Sequence, residues 1–392
     1  MNFQEAYYQN PYQTKFESVV TACRETEQGF WVTLRETLFY PEGGGQPSDR
    51  GTLTSFFGTL PVLDVQDSAA GPEHLMEVSF DPGTRVCGRI DWPHRYHLMQ
   101  NHTGEHIISG LVHQTYGYEN VGFHMSDVIT LDLSGPLTWE QAGEIERQAN
   151  QVIYKNLPVE ELYPTGEDLD KIAYRSKKEL DGDVRIIHID ETDDCACCGL
   201  HVRRTGEIGV IKLLSLMNHR GGVRITMLSG WQAFLDYAQK SSAVTAIGQL
   251  LSVKPEETED AVRRLLEDSL QKDRRIAFCN QRYFQAKADS FTKTEDLILC
   301  FEEQMNQIEL RKFCDLLVKS GKGRVCAVLS ETEPDSWQYC IGSTTVDLRA
   351  AAKQLNEQLN GRGGGKPIMI QGTFHASAPQ IESALRALCT FS

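Results

Sequence analysis

His102 and His106 stand four residues apart in Asn101-His102-Thr103-Gly104-Glu105-His106, and Cys197 and His201 repeat that spacing in Cys197-Cys198-Gly199-Leu200-His201. Residues four apart share one face of a helix, so the two imidazoles of the first pair can point at a common centre. Imidazole nitrogen and thiolate sulfur are the ligands a zinc ion prefers, and two pairs from distant segments can complete a tetrahedral site. The expected cofactor is a single Zn2+ ion per chain. Two other readings of the same residues stay open. Cys195 and Cys198 form a Cys-x-x-Cys, a spacing common in closed structural zinc sites, which would leave Cys197 a bystander. His102 to His106 also fits the H-x-x-E-H pattern of one class of zinc peptidases, in which Glu105 would take a proton from metal-bound water. A peptidase needs a third carboxylate ligand downstream. Here the downstream partners are Cys197 and His201, which disfavours that reading.

Composition bounds the setting. The 392-residue chain is long enough for two or three domains with real cores, and its 40% hydrophobic and 24% charged content is that of an ordinary globular protein. No stretch approaches the roughly 18–20 consecutive apolar residues of a membrane span. The first residues lack a basic stretch followed by an apolar run, so no export signal is expected, and the eleven cysteines are expected to stay reduced in a cytoplasm. A net charge of −15 opposes nucleic acid at long range, but salt screens beyond about 10 Å, so local basic clusters count. Lys171, Arg175, Lys177 and Lys178 form one cluster; Arg203, Arg204, Lys212, Arg220 and Arg224 form another near the second ligand pair. Taken singly, either cluster reads first as a solvated face.

The ligands need a frame, and the pattern predicts an α+β one in four parts. Residues 1–92 read as a small β-barrel of short strands, among them Lys15–Cys23, Gly29–Arg35 and Val86–Trp92, with Pro41-Glu42-Gly43-Gly44-Gly45-Gln46-Pro47 as a tight loop. Residues 93–230 read as a central α+β domain holding the zinc. It has helices from about His94 to Tyr116 and from Thr138 to Asn156, a strand Val184–Ile189, and a hairpin of Ile208–Met217 with Val223–Leu228. Residues 231–290 read as a helical connector. Val262, Leu265, Leu266 and Leu270 make an apolar stripe there, for packing within the chain or for a dimerising coiled coil. Residues 291–392 alternate as a separate α/β domain: strand Asp296–Cys300, helix Glu302–Lys319, strands Arg324–Ser330 and Gln338–Ser343, helix Leu348–Leu359, strand Lys366–Gln371, helix Ala378–Cys389.

Taken together these motifs resemble a known family. The H-x-x-x-H and C-x-x-x-H halves, with Arg203-Arg204-Thr205-Gly206-Glu207-Ile208-Gly209 after the second, look like the editing domain of alanyl-tRNA synthetase and its free-standing relatives, the AlaX proteins. Phe39 to Gly51 resembles the family's glycine-rich motif, and Gly361-Arg362-Gly363-Gly364-Gly365-Lys366 resembles the signature of the DHHA1 domain that ends the long AlaX type. No aminoacylation domain precedes the barrel, so the resemblance is to a stand-alone editor. It implies hydrolysis of tRNA(Ala) mischarged with serine, and sometimes glycine. It makes His102, His106, Cys197 and His201 the zinc ligands, gives Thr103 to the serine hydroxyl and places Gln46 near the active site. The role of Glu105, which replaces the small or hydroxyl residue usual in the synthetases, does not carry over; as a catalytic candidate it rests on its place between the histidines.

The implied reaction cleaves the ester between an amino acid and the terminal ribose. Serine differs from alanine by one hydroxyl, and a pocket built to hydrogen-bond it discriminates by about 10⁴–10⁵. The Thr103 hydroxyl can equally bond a carbonyl of its own helix. Gly43, Gly44 and Gly45 would let backbone approach the tRNA end, or simply turn a hairpin. Residues 361–366 are not a phosphate-binding P-loop, since Asn360 and Pro367 break its pattern. Backbone N–H groups of Gly363, Gly364 and Gly365, with Arg362 and Lys366, can still meet phosphates. The resemblance implies that this domain contacts tRNA and, in the synthetases, aids dimerisation, so a homodimer through the connector or the C-terminal domain is a further expected partner. The rival to the deacylase is a non-catalytic RNA-binding protein stapled by zinc.

Overall fold

The structure is a computed structural model that describes residues 5–56, 58–126, 128–176, 184–292 and 295–390. Lys177 and Lys178 of the first basic cluster lie outside them. A one-turn helix, α1 (Ala6–Gln9), leads into seven strands: β1 (Lys15–Thr26), β2 (Gly29–Leu34), β3 (Gly51–Ser55), β4 (Gly58–Val62), β5 (Asp64–Gln66), β6 (Glu73–Met76) and β7 (Arg85–Ile90). Their order is β4-β3-β7-β1-β2-β6-β5. The two outermost strands, β4 and β5, are joined through Leu63, whose N–H donates to Leu75 O at 2.9 Å. The sheet therefore curls until its edges nearly meet, forming the expected barrel. Along β7 the side chains alternate, Val86 and Ile90 facing a core with Val20, Val32, Leu53 and Met76, while Arg85 and Arg89 face out.

The last barrel strand stops at Ile90, two residues before the predicted end. The Asp91 carboxylate accepts from His94 N–H at 3.3 Å and Pro93 sits in the first turn, so the chain starts α2 (Trp92–Tyr116) at once. Residues 98–112 of α2 are all buried, and Gly117 closes the helix in the left-handed region at φ 71°. Around it lie β8 (Asn120–Met125), β9 (Ile129–Leu133), α3 (Trp139–Lys155), β10 (Glu160–Leu162), β11 (Ile186–Ile189), β12 (Asp193–Ala196), β13 (Ile211–His219) and β14 (Gly222–Ser229). A four-stranded sheet has the order β13-β14-β9-β8 and a three-stranded one β10-β11-β12. Helix α3 opens on a capping box made by Thr138 and Gln141. Ile208, predicted to begin a strand, instead ends a short 3-10 helix, Thr205–Ile208. Glu207 Oε1 there accepts the N–H groups of Arg203 and Arg204 at 3.1 and 3.0 Å.

These elements belong to one compact unit, residues 1–246; a second comprises 247–392. Helix α4 (Gly230–Leu251) runs across the boundary. The second unit contains α5 (Thr258–Ser290), β15 (Glu295–Glu303), α6 (Gln307–Ser320), β16 (Gly323–Glu333), β17 (Ser336–Gly342), α7 (Leu348–Gln358), β18 (Arg362–Lys366), β19 (Met369–His375) and α8 (Ala378–Thr390). Its sheet order is β15-β16-β17-β19-β18, with β15 and β16 parallel. One face packs Ile298, Cys300, Phe313 and Val328 with Phe284 of α5; the other packs Leu297, Tyr339, Leu355, Phe374 and Leu385. Two predicted boundaries shift. Helix α6 starts at Gln307, because Asn306 caps it by accepting from Ile308 and Glu309 N–H. The predicted strand Lys366–Gln371 is broken by a turn at Pro367 and Ile368: Lys366 ends strand β18, made by the glycine-rich run, which pairs with β19 starting at Met369. The α5 stripe of Val262, Leu265, Leu266 and Leu270 is exposed. Among the described residues no helix is long and apolar enough to cross a membrane.

Candidate metal centre

Helix α2 presents His102 and His106 on successive turns, with ring centroids 5.4 Å apart, and the His201 ring lies 4.5 Å from the first and 4.7 Å from the second. Along β12 side chains alternate, so Asp193 and Cys195 share the buried face, and Cys197 continues the same parity. Cys197 Sγ comes within 3.3 Å of His102 Nε2 and 3.4 Å of His201 Nε2. One donor atom from each of His102, His106, Cys197 and His201 lies within 4.8 Å of the others. Among the described residues no such cluster joins Cys195 to Cys198. Cys195 belongs instead to a second group with His106 and Asp193, and the Cys198 carbonyl accepts from the Tyr8 and Tyr40 hydroxyls at 2.8 and 3.1 Å. Arg185 Nη1 donates to Cys197 O and Gly199 O, so side chains hold the backbone of this turn from two sides.

Each of the three imidazoles is also held from behind at Nδ1. His102 donates to Gln46 Oε1 at 2.9 Å and His106 to Asp193 Oδ2 at 3.0 Å. For His201 the partner is Thr103 Oγ1 at 3.2 Å. The single proton of that hydroxyl goes to Met99 O at 2.9 Å, so Thr103 accepts from His201, as it does from Val202 N–H at 3.2 Å. The resemblance gave Thr103 to a substrate hydroxyl. In the structure its hydroxyl donates to Met99 O and accepts from His201 and Val202. With Nδ1 donating to an outer partner, each ring turns its Nε2 toward the centre, the arrangement outer partners impose on metal-ligating histidines.

The electrostatics follow from this crowding. Burial would push the Cys197 thiol up, but the imidazoles of His102, His201 and His106 outweigh it and bring the group well below the usual thiol range. Burial would likewise lower His106; the Cys197 thiolate and the Asp193 hydrogen bond reverse that and carry it to about 10. Burial holds His201 well below the ordinary imidazole value. A thiolate and three inward-facing imidazole nitrogens are a donor set that suits Zn2+.

The glycine-rich loop is the centre's outer wall. Gly43 and Gln46 pair through two backbone hydrogen bonds of 3.1 and 2.9 Å, and the residues between, Gly44 and Gly45, sit at φ 60° and 81°, which glycine adopts without strain. The chain then runs antiparallel to α2. Gln46 meets His102, Ser48 O lies 3.2 Å from His94 Nε2, and Asp49 forms a fully buried ion pair with Arg95. Gln46 Oε1 also accepts Leu200 N–H at 3.0 Å, and its buried Nε2 has no hydrogen-bond partner among the described residues. Gly199 passes so close to His102 that an added Cβ would lie 1.9 Å from the ring.

Glu105, buried on α2, is bonded at Oε1 by Ser109 and Asn120, and its Oε2 lies 4.0 Å from His106 Nε2. The sequence reading missed Asp193, Asn120 and Phe123, whose ring lies 5.4 Å from that of His102. Asp193 carried a signal, since it shares parity with Cys195 and Cys197; Asn120 and Phe123 carried none. Of the residues expected to meet tRNA, Gly43, Gly44 and Gly45 are in the loop beside the centre. Arg362, Gly363, Gly364, Gly365 and Lys366 form the edge strand β18 of the second unit, with both basic side chains exposed.

Comparison with known proteins gives matches along most of the chain. Residues 5–94 match the tRNA synthetases class II (A) family, residues 184–226 the threonyl and alanyl tRNA synthetase second additional domain, and residues 294–391 the DHHA1 domain. The alanyl-tRNA editing protein Aarsd1-A of Xenopus laevis is 35% identical over 397 residues, covering 95% of this chain and 91% of its own. The alanyl-tRNA editing protein AlaX-L of Pyrococcus horikoshii is 25% identical over 399 residues, covering 96% of both. The alanine–tRNA ligase of Halorubrum lacusprofundi is 30% identical over 402 residues; the match takes in 98% of this chain but 43% of the ligase, so the chain spans less than half of that relative.

Proposed function

Because the chain belongs to the alanyl-tRNA editing protein family, we propose that it is a zinc-dependent deacylase of the cytoplasm that hydrolyses tRNA(Ala) mischarged with serine, and secondarily with glycine. The observation that carries this reading is the convergence of His102, His106, Cys197 and His201, with every Nδ1 held by an outer partner. A zinc ion bound by these four would polarise the ester carbonyl and lower the pKa of a water molecule. The protein's own groups do the rest. Gln46 Nε2, buried beside His102, donates to a substrate oxygen. Glu105, fixed by Ser109 and Asn120, takes the proton of the attacking water and returns it to the ribose oxygen as the ester C–O bond breaks. Thr103 orients His201. The turn at Gly43, Gly44 and Gly45 and the edge strand from Arg362 to Lys366 serve as tRNA contacts, and the exposed α5 stripe supports the expected homodimer.

One observation favours the rival staple: the three histidines are only 2–3% exposed. A deacylation assay on Ser-, Gly- and Ala-tRNA(Ala), with chelator and after zinc is restored, separates the two. The deacylase reading expects serine ester cleaved, alanine ester spared, and activity lost and regained with the metal. Retained zinc with no ester cleavage supports the staple.

A further inference from the structure

Behind His106 lies the second group of ligating side chains. His106, Asp193 and Cys195 bring donor atoms within 4.8 Å of one another and are all buried, close enough to hold an ion of their own. Their other partners fill them. Arg175 Nε and Nη2 each donate at 2.8 Å, one to Asp193 Oδ1 and one to Oδ2, and the two side chains are 9% and 1% exposed. Asp193 Oδ2 also takes His106 Nδ1–H at 3.0 Å. The Cys195 thiol donates to Ala196 O at 3.7 Å. A guanidinium squarely on the carboxylate repels a second cation at that place.

The anchoring of Arg175 gives this pair a purpose. Arg175 N–H donates to Asp194 O at 2.8 Å, and Ala196 N–H donates to Arg175 O at 2.9 Å, so Arg175 runs parallel to β12 beside Cys195. The strand that delivers Asp193, and then Cys197, is thus braced on its outer edge by the backbone of the residue whose side chain returns to Asp193. A bidentate pair fixes both the position and the plane of a carboxylate, which a single surface contact does not.

We propose that Arg175 and Asp193 form a clamp that sets how tightly the metal centre holds its ion, by fixing the ring orientation and tautomer of His106. Both are positioning residues, because they act through the imidazole and touch neither ion nor substrate. The proposal rests on the reading of His102, His106, Cys197 and His201 as metal ligands. Partners of this kind typically change metal affinity by about 10–100-fold when removed.

The test uses the full chain and zinc itself. Zinc dissociation constants are measured by competition with a chromophoric chelator for the wild type and for Asp193→Asn, Arg175→Met and Arg175→Lys, alongside ions bound per chain, cobalt(II) ligand-field spectra and unfolding of the metal-free forms. The clamp predicts one ion in the wild type, affinity weakened about 10–100-fold in Asp193→Asn and in Arg175→Met, and altered cobalt spectra. It also predicts partial recovery in Arg175→Lys, and a double variant, Asp193→Asn with Arg175→Met, little weaker than either single one. Arg175→Lys keeps the buried charge balanced, so it reports even where Arg175→Met fails to fold. Folded variants that bind zinc as tightly as the wild type overturn the clamp and leave the metal centre standing. Two ions per wild-type chain overturn it in favour of a second metal site. A wild type that takes up no ion sinks the metal-centre reading, and the clamp with it.

Discussion

Thr103 has one proton and two lone pairs, and all three are in use. Thr103→Val should therefore loosen zinc by about tenfold, through the freed His201 ring, and leave Val202 N–H unpaired at a cost of about 1–3 kcal/mol. The ratio of seryl to alanyl ester cleavage should stay unchanged. A collapsed ratio with unchanged zinc affinity would return Thr103 to the substrate. The elevated His106 gives a pH prediction. Below about pH 10 the metal-free chain keeps a proton on His106, and the ion must displace it. Apparent affinity should then rise about tenfold per pH unit across neutrality and level off only near 10; an ordinary imidazole would level near 6.5. Zinc titrations at pH 6.5, 7.5 and 8.5 decide this, and a flat series refutes it. The ligand types and spacings were legible because chemistry of this kind is written in residue identity. The outer partners were not. Arg175 read as part of a solvated basic cluster, and only its place beside β12 buries it against Asp193.

At the scale of elements, the loop and α2 fit by length. Gln46 to Asp49 spans three residues, a reach of at most about 10 Å, and Arg95 to His102 spans seven residues of helix, about 10.5 Å. One loop thereby grips the helix at both ends of two turns. Arg95→Met would leave Asp49 buried and unpaired, and should cost about 3–5 kcal/mol in denaturant unfolding. A loss under 1 kcal/mol would mean that the pair is dispensable. The barrel strands were legible as short β-forming runs broken by turn residues and α2 from the helical spacing of its histidines, whereas its Asp91 cap was not read. The α6 start was misplaced because Glu302 reads as a first-turn acid. It is instead a buried strand residue, neutralised by Lys287 at 2.6 Å and the Tyr283 hydroxyl, partners a sequence does not display.

At the scale of the whole molecule, a chain of net charge −15 must meet a polyanion through local contacts. Arg362→Ala and Lys366→Ala should each weaken tRNA binding and lower its salt slope by about one, with zinc affinity untouched. Binding curves at several salt concentrations test this, and an unchanged slope would remove β18 from the interface. Helix α2 and the turn after β12 are 95 residues apart where His102 meets Cys197. An ion held by both binds the folded state alone, so zinc should raise the melting temperature and chelation lower it.

The carboxamide oxygen of Gln46 receives both His102 and the backbone of Leu200. All four converging donor atoms come from residues 102 to 201, yet the atom that keeps the two groups in register belongs to a strand-connecting turn within the first fifty. A fragment cut free of the barrel would retain every donor, with the Asp193 and Thr103 partners of His106 and His201, and lose the contact that aligns His102 with the later turn. The centre is therefore not portable: to graft its chemistry onto another scaffold, the barrel would have to travel with it.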